Sequence, residues 1–143
     1  MIRDFRHVCI IVGNLERSLR FYRDVLGLKV SKILTVEGKE LQELFHLKKA
    51  KLTYAKLYTP RQSRKNPPIF ELHYWHTPAR RPQRGFNHIS FTVDHLSREY
   101  KRLKESGVRF ISGPKKVSYS RSRICFAYDP DHYLIEFIED DSS

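Results

Sequence analysis

The chain has 143 residues, of which 40% are hydrophobic and 30% charged, a balance that suits one domain or two small fused modules and excludes a disordered or low-complexity chain. No apolar run approaches the roughly 20 residues a membrane-crossing helix needs. Lys and Arg number 27 against 16 acidic residues, a net charge of +11, which admits solvated loop charge, an anionic substrate or nucleic acid, although no nucleic-acid module supports the last.

From the first residue, Met1 to Val12 carries a short apolar run with no small-residue cleavage site behind it, so it reads as a strand rather than a leader. Val8, Ile10 and Val12 alternate with His7, Cys9 and Ile11, which is strand periodicity. Asn14 offers an N-cap, Leu15, Leu19, Tyr22 and Leu26 follow at helical spacing, and Gly27 ends the helix. Strands are expected over Leu28–Thr35, Lys51–Tyr58 and Ile69–Trp75, with one or two amphipathic helical turns between Glu40 and Leu47. Thr77–Gly85 is rich in Pro and Arg and reads as a linker. In the second half, Ile89, Phe91 and Val93 alternate with His88, Ser90 and Thr92. Asp94 is the expected cap of a helix striped by Leu96, Tyr100 and Leu103 and stopped by Gly107. Strands then follow at Val108–Ile111, Ile124–Tyr128 and Tyr133–Ile138.

The two halves repeat. Phe5, His7, Val12 and Leu15 recur as Phe86, His88, Val93 and Leu96, each 81 positions on (5 to 86, 7 to 88, 12 to 93, 15 to 96). Such a period means one supersecondary unit used twice. The expected fold is α+β, a tandem pair of β-α-β-β-β modules. Residues 1–143 then make a single domain, with module one about 1–76, the linker about 77–85 and module two about 86–139.

Side chains on a strand alternate between two faces. Four strands each pair an apolar face with one interior His or Glu on the other: His7, Glu71, His88 and Glu136. A carboxylate flanked by Phe70 and Leu72, or by Ile135 and Phe137, is costly to bury without a cation or hydrogen bonds. Two imidazoles and two carboxylates converging on a cavity would make a divalent metal site. Taken singly, any of the four reads equally well as a satisfied core His or an edge Glu; their joint placement favours the site. His73, two residues beyond Glu71, reads foremost as a packed ring, with a second base or a substrate donor as alternatives. Trp75, Phe45 and Tyr54 read as ordinary core before pocket lining. Cys9 and Cys125 lie far apart without a CxxC partner, which favours free thiols in a reducing cytoplasm and leaves one disulfide open. Cys9 reads as a small buried filler. Basic residues bunch at Arg61, Arg64 and Lys65, at Arg80, Arg81 and Arg84, at Lys115 and Lys116, and at Arg121 and Arg123.

The ordered pieces His7-Val8-Cys9-Ile10-Ile11-Val12, Asn14-Leu15-Glu16-Arg17-Ser18, Phe21 to Leu28, Phe70-Glu71-Leu72, Phe86 to Asp94 and Asp129 to Glu136 resemble the vicinal oxygen chelate superfamily, which includes glyoxalase I, methylmalonyl-CoA epimerase and extradiol dioxygenases. The resemblance covers Arg6 to Glu139. It implies two paired modules curled around a cleft, a homodimer, and a divalent metal (Ni, Zn, Co or Mn) held by His7, Glu71, His88 and Glu136. It further implies a lyase or isomerase that moves a proton next to a carbonyl through a metal-stabilised enediolate or enolate. Glu136 is the base by likeness to glyoxalase I, and Glu71 the base in an epimerase. In the epimerase branch Gln42 or Glu40 competes with Glu71 as ligand. The alternatives are an Fe(II) ring-cleaving dioxygenase using His7, His88 and Glu136, and a non-catalytic resistance-type binding protein. Two departures stand out. His132 occupies a turn position where the family usually has Gly. Ile11 and Trp75 occupy the positions where glyoxalase I holds glutathione with Arg and Asn, which counts against a glutathione adduct as substrate.

Overall fold

The computed structural model describes residues 7–62, 70–82, 88–116 and 122–140. Phe5, Arg6, Ile69, Phe86 and Asn87 of the repeats and strands, Gln83 to Gly85 of the linker, and the basic residues Arg64, Lys65, Arg84 and Arg121 lie outside the described residues. The architecture is α+β, and the chain divides into two compact units, Met1–Arg84 and Gly85–Ser143.

In unit one, β1 (Val8–Ile11) is followed by α1 (Leu15–Leu19), which runs into a π-helical turn (Arg20–Val25). Then come β2 (Lys29–Glu37), α2 (Lys39–Phe45), β3 (Lys51–Tyr58) and β4 (Phe70–Thr77). The sheet order is β1-β4-β3-β2, with β1 parallel to β4 and the other pairs antiparallel. Asn14 caps α1 as its sequence predicts, its side chain accepting the Arg17 N–H at 2.9 Å. The widened turn that follows is closed by the Leu26 N–H on the Phe21 carbonyl at 2.9 Å, an i→i+5 bond. Ser18, Leu19, Phe21 and Tyr22 are the residues buried along this segment, whereas Leu15 and Leu26, the two ends of the expected stripe, are only partly buried. Tyr22, fully buried, meets Phe70 edge-on with centroids 4.9 Å apart. Gly27, at φ 83°, ends the helix in the left-handed conformation that glycine tolerates.

One sheet face, Ile10, Val12, Ala55, Leu57, Phe70 and Leu72, is buried. The opposite face carries Cys9, Glu71, His73, Tyr54 and Lys56, by alternation and by the pairings Cys9↔Glu71, Lys56↔Glu71 and Tyr54↔His73. At its far end this second face also becomes apolar. Leu41 of α2, Ala50, Leu52 and Trp75 form a small core, with Ile11, Val36 and Leu47 packed against it. The core reading of Trp75 therefore holds. Phe45 departs from it: 43% exposed, it only lays its edge against Trp75 at 5.0 Å.

Unit two contains β5 (His88–Thr92), α3 (Leu96–Glu105), β6 (Arg109–Phe110), β7 (Lys115–Lys116), β8 (Ser122–Tyr128) and β9 (Leu134–Asp140), ordered β5-β9-β8-β6 with β7 also on β8. The repeat extends to a single bond. Val12 N–H donates to His73 O in one unit and Val93 N–H to Ile138 O in the other, at 2.9 and 2.7 Å. Asp94 is not the residue that caps α3. His95 holds the N-cap position without a side-chain bond, and Leu96 N–H instead donates to the Glu139 carboxylate at 3.0 Å. A carboxylate there also faces the positive end of the helix dipole. Leu96, Leu103, Cys125, Ala127, Ile135 and Phe137 form the buried face.

The turn before β9 explains its motif. Buried Asp129 accepts the N–H groups of Asp131 and Tyr133 through Oδ1, both at 2.8 Å. His132 is thereby held at φ 66°, left-handed space that costs a non-glycine residue of order 1 kcal/mol. Its ring lies 5.6 Å from Tyr128.

Two outcomes follow. In urea unfolding, His132→Gly should match or exceed the parent, whereas His132→Val should lose about 1–2 kcal/mol, since a β-branched residue tolerates positive φ least. Burial raises the Cys125 thiol to about 11 from its ordinary 9.0. The unfolded chain therefore sheds this proton first, and stability is lost as pH rises from about 9 to about 11. A Cys125→Val variant should show a shallower alkaline decline in the same titration.

Candidate functional site

In unit one the site residues come from three neighbouring strands. Glu71, the second residue of β4, is only 6% exposed, and its carboxylate is surrounded by donors. His73 Nε2 lies 3.0 Å from Oε2; an ionised carboxylate only accepts, so the proton sits on Nε2. His7 Nε2 lies 3.6 Å from the same oxygen, and Lys56 Nζ lies 3.5 Å from Oε1. Cys9 Sγ completes the group: one ligand atom each from Cys9, Glu71 and His73 lies within 4.8 Å of the others. Burial, reinforced by the Glu71 charge, pushes the Cys9 thiol up to about 12. At neutral pH it is a thiol and not a nucleophile, in accord with the filler reading. Gln42 is engaged elsewhere, donating through Nε2 to Lys48 O at 2.9 Å, and Glu40 is exposed on α2.

Unit two holds a plainer pair. His88 Nε2 lies 3.3 Å from Glu136 Oε2, and the Glu136 side chain is 14% exposed. Phe126, the cross-strand partner of Glu136, sets its ring edge-on to His88 at 5.5 Å. The structure thus brings His7 to Glu71 and His88 to Glu136, each pair within its own unit. Each joins an imidazole nitrogen to a carboxylate oxygen, the donor chemistry of first-row divalent cations.

His73, which sequence alone reads foremost as a packed ring, lies 6.0 Å from the Tyr54 ring and is also hydrogen-bonded to Glu71. Sequence reasoning misses Lys56 altogether. The available signal was its alternation against buried Ala55 and Leu57, which puts an ammonium on the Glu71 face; the strand register needed to align the two lay beyond the sequence.

The fold and these two pairs define a class. The chain belongs to the glyoxalase/bleomycin resistance protein/dioxygenase superfamily, whose family model matches residues 4–137. A probable lactoylglutathione lyase of Synechocystis is 28% identical over 136 residues, 95% of either chain. The lactoylglutathione lyase of Neisseria meningitidis is 30% identical over 93% of this chain and 88% of its own. That of Schizosaccharomyces pombe is 32% identical over 92% of this chain, which spans only 46% of that longer protein. Among solved structures, a glyoxalase family protein from Bacillus cereus superposes with a TM-score of 0.79 at 22% identity, covering 97% of this chain and 95% of that one. At the level of the family, the chain is a glyoxalase I-like lyase.

Breaking a buried, charge-assisted hydrogen bond costs about 1.5–3 kcal/mol. His73→Ala should therefore lower unfolding stability by about that much. In a double-mutant cycle with Glu71→Gln, the coupling should reach at least about 0.5 kcal/mol; additive losses would mean the contact carries no energy.

Proposed function

We propose that this protein is a divalent-metal lyase or isomerase that transfers a proton at the carbon next to a carbonyl. His7, Glu71, His88 and Glu136 are the residues that hold the cation, and Glu136 is the base. The observation that carries the reading is the repeated pair: in each unit one His and one Glu on a single sheet face stand 3.6 and 3.3 Å apart. A bound divalent cation supplies a Lewis acid that makes the neighbouring carbon–hydrogen bond acidic enough to break near neutral pH.

The chain's own groups supply the rest. Glu136 has a simpler surrounding than Glu71, with His88 beside it and Phe126 across the strand. Among the described residues its cross-strand neighbour is an aromatic ring where Glu71 has a lysine, which suits it to take up and return a proton. Glu71, engaged by Lys56 and His73, suits the role of a fixed ligand better than that of a mobile base, although the epimerase arrangement would use it. Relatives named lactoylglutathione lyase make the glutathione adduct the first substrate to assay. Against it, Ile11 and Trp75 pack in the apolar cluster under α2, which favours a different carbonyl compound; the net charge of +11 favours an anionic one. Two free thiols, Cys9 and Cys125, suit a reducing cytoplasm, and the assembly we propose is a homodimer. Among the described residues, no helix is long and apolar enough to cross a membrane.

The test is elemental analysis with solvent-deuterium exchange. The purified protein should carry a divalent metal, lose it to a chelator, and catalyse exchange at the carbon next to a carbonyl in a panel of 2-oxoaldehyde thiol adducts and 2-acyl thioesters. A His7→Ala, His88→Ala double variant should bind less metal than the parent and lose the exchange. Glu136→Gln should keep the metal and lose roughly 10²–10⁴ in exchange rate. Full exchange activity in the metal-free protein would overturn the reading.

A further inference from the structure

The four-residue centre leaves part of the unit-one cluster unused. We propose that Cys9, Glu71 and His73 form a three-donor cation site within unit one, offering one sulfur, one oxygen and one nitrogen to a thiophilic divalent ion such as Zn²⁺ or Co²⁺. The site is independent of the proposed centre except that Glu71 belongs to both.

Three observations carry it. The first is placement. Cys9 and Glu71 are direct neighbours across the parallel β1–β4 pair, and His73 follows Glu71 by two, so all three side chains leave the same sheet face. The second is distance. The three ligand atoms already lie within 4.8 Å of one another, and the nitrogen and oxygen only 3.0 Å apart. Bonds of about 2.0–2.3 Å in a tetrahedral site put donors roughly 3.3–3.6 Å apart. Closing the set around an ion thus asks for shifts of about an ångström, within reach of small side-chain rotations. The third is orientation. Lys56 engages Oε1, and Oε2 is the oxygen turned to His73, with His7 at 3.6 Å, so Oε2 is the atom for monodentate ligation.

Sulfur changes which ion is preferred. A thiolate favours Zn²⁺ and Co²⁺ over the harder Mn²⁺ or Mg²⁺, which prefer oxygen donors. On coordination the Cys9 thiol gives its proton to solvent, and the His73 proton moves off the nitrogen that binds the ion. Three protein donors leave a fourth position for water or a substrate atom, the arrangement of a reactive zinc site rather than a structural one.

The experiment is Co²⁺ titration of the full-length protein, read by absorption and equilibrium dialysis. The parent should develop the intense near-ultraviolet thiolate-to-cobalt charge-transfer band together with tetrahedral visible bands. Cys9→Ser should lose the ultraviolet band, and His73→Phe should weaken Co²⁺ binding at least tenfold, both with unchanged far-ultraviolet circular dichroism. The band should survive in Cys125→Ser and in a His88→Ala, Glu136→Gln double variant. Bound Co²⁺ with no charge-transfer band, a band that persists in Cys9→Ser, or no binding at all would overturn the proposal. The double variant also separates the two readings. If it keeps the band but loses carbonyl-adjacent exchange, both stand; if the parent binds Co²⁺ through nitrogen and oxygen alone, only the four-residue centre does.

Discussion

A carboxylate in the interior of a sheet is the constraint around which unit one is organised. Glu71 sits between Phe70 and Leu72, both buried toward the helix, on a strand bonded along both edges. Ion pairs in such places stabilise little by themselves, because desolvation offsets much of the attraction, but removing a partner strands a charge at a cost of several kcal/mol. The neighbouring strands meet this demand from both sides. β3 presents Lys56 opposite Glu71, β1 brings His7 and Cys9 alongside, and β4 itself supplies His73. Glu71 is thereby held in one position by side chains from both neighbouring strands and its own.

Unit two solves the equivalent problem differently. Glu136 is more exposed than Glu71, and its neighbour across the strand is Phe126 where Glu71 has Lys56. The same supersecondary unit, used twice, thus gives one carboxylate engaged by His73, His7 and Lys56 and one that, among the described residues, has His88 beside it. Two acids of identical chemistry stand in different surroundings, the means by which paired carboxylates can be set to different protonation behaviour. Unit one also has α2, an insertion without a counterpart among the described residues of unit two. It roofs the Trp75 end of the site-bearing face with Leu41 and Phe45.

Much of this was legible from residue order. The alternation of Val8, Ile10 and Val12, the 81-residue period and the Asn14 cap each follow from local rules, and apart from β7, a two-residue strand where only loop charge was expected, the observed strands begin and end within about three residues of their expected limits. The positions of His7, Glu71, His88 and Glu136 on one face of each sheet were readable for the same reason. What local rules missed were long-range partnerships. Asp94 looked like the cap of α3, yet the carboxylate on Leu96 comes from Glu139, 43 residues away. Lys56 resembled any surface lysine until the β3–β4 register set it opposite Glu71. The π-helical turn was hidden as well, since Phe21 and Tyr22 satisfy a helical pattern while packing demands the wider turn.

The reach of Glu139 gives β9 two jobs at once. One face of the strand presents Glu136 beside His88, and the other anchors the start of α3 through Glu139, which also lies 3.7 Å from Arg123 on β8. The final strand therefore works as a clasp, closing the second repeat from both sides. A change on the Glu139 face of β9 acts on the start of α3 and one on the Glu136 face acts on the imidazole, within the same seven residues.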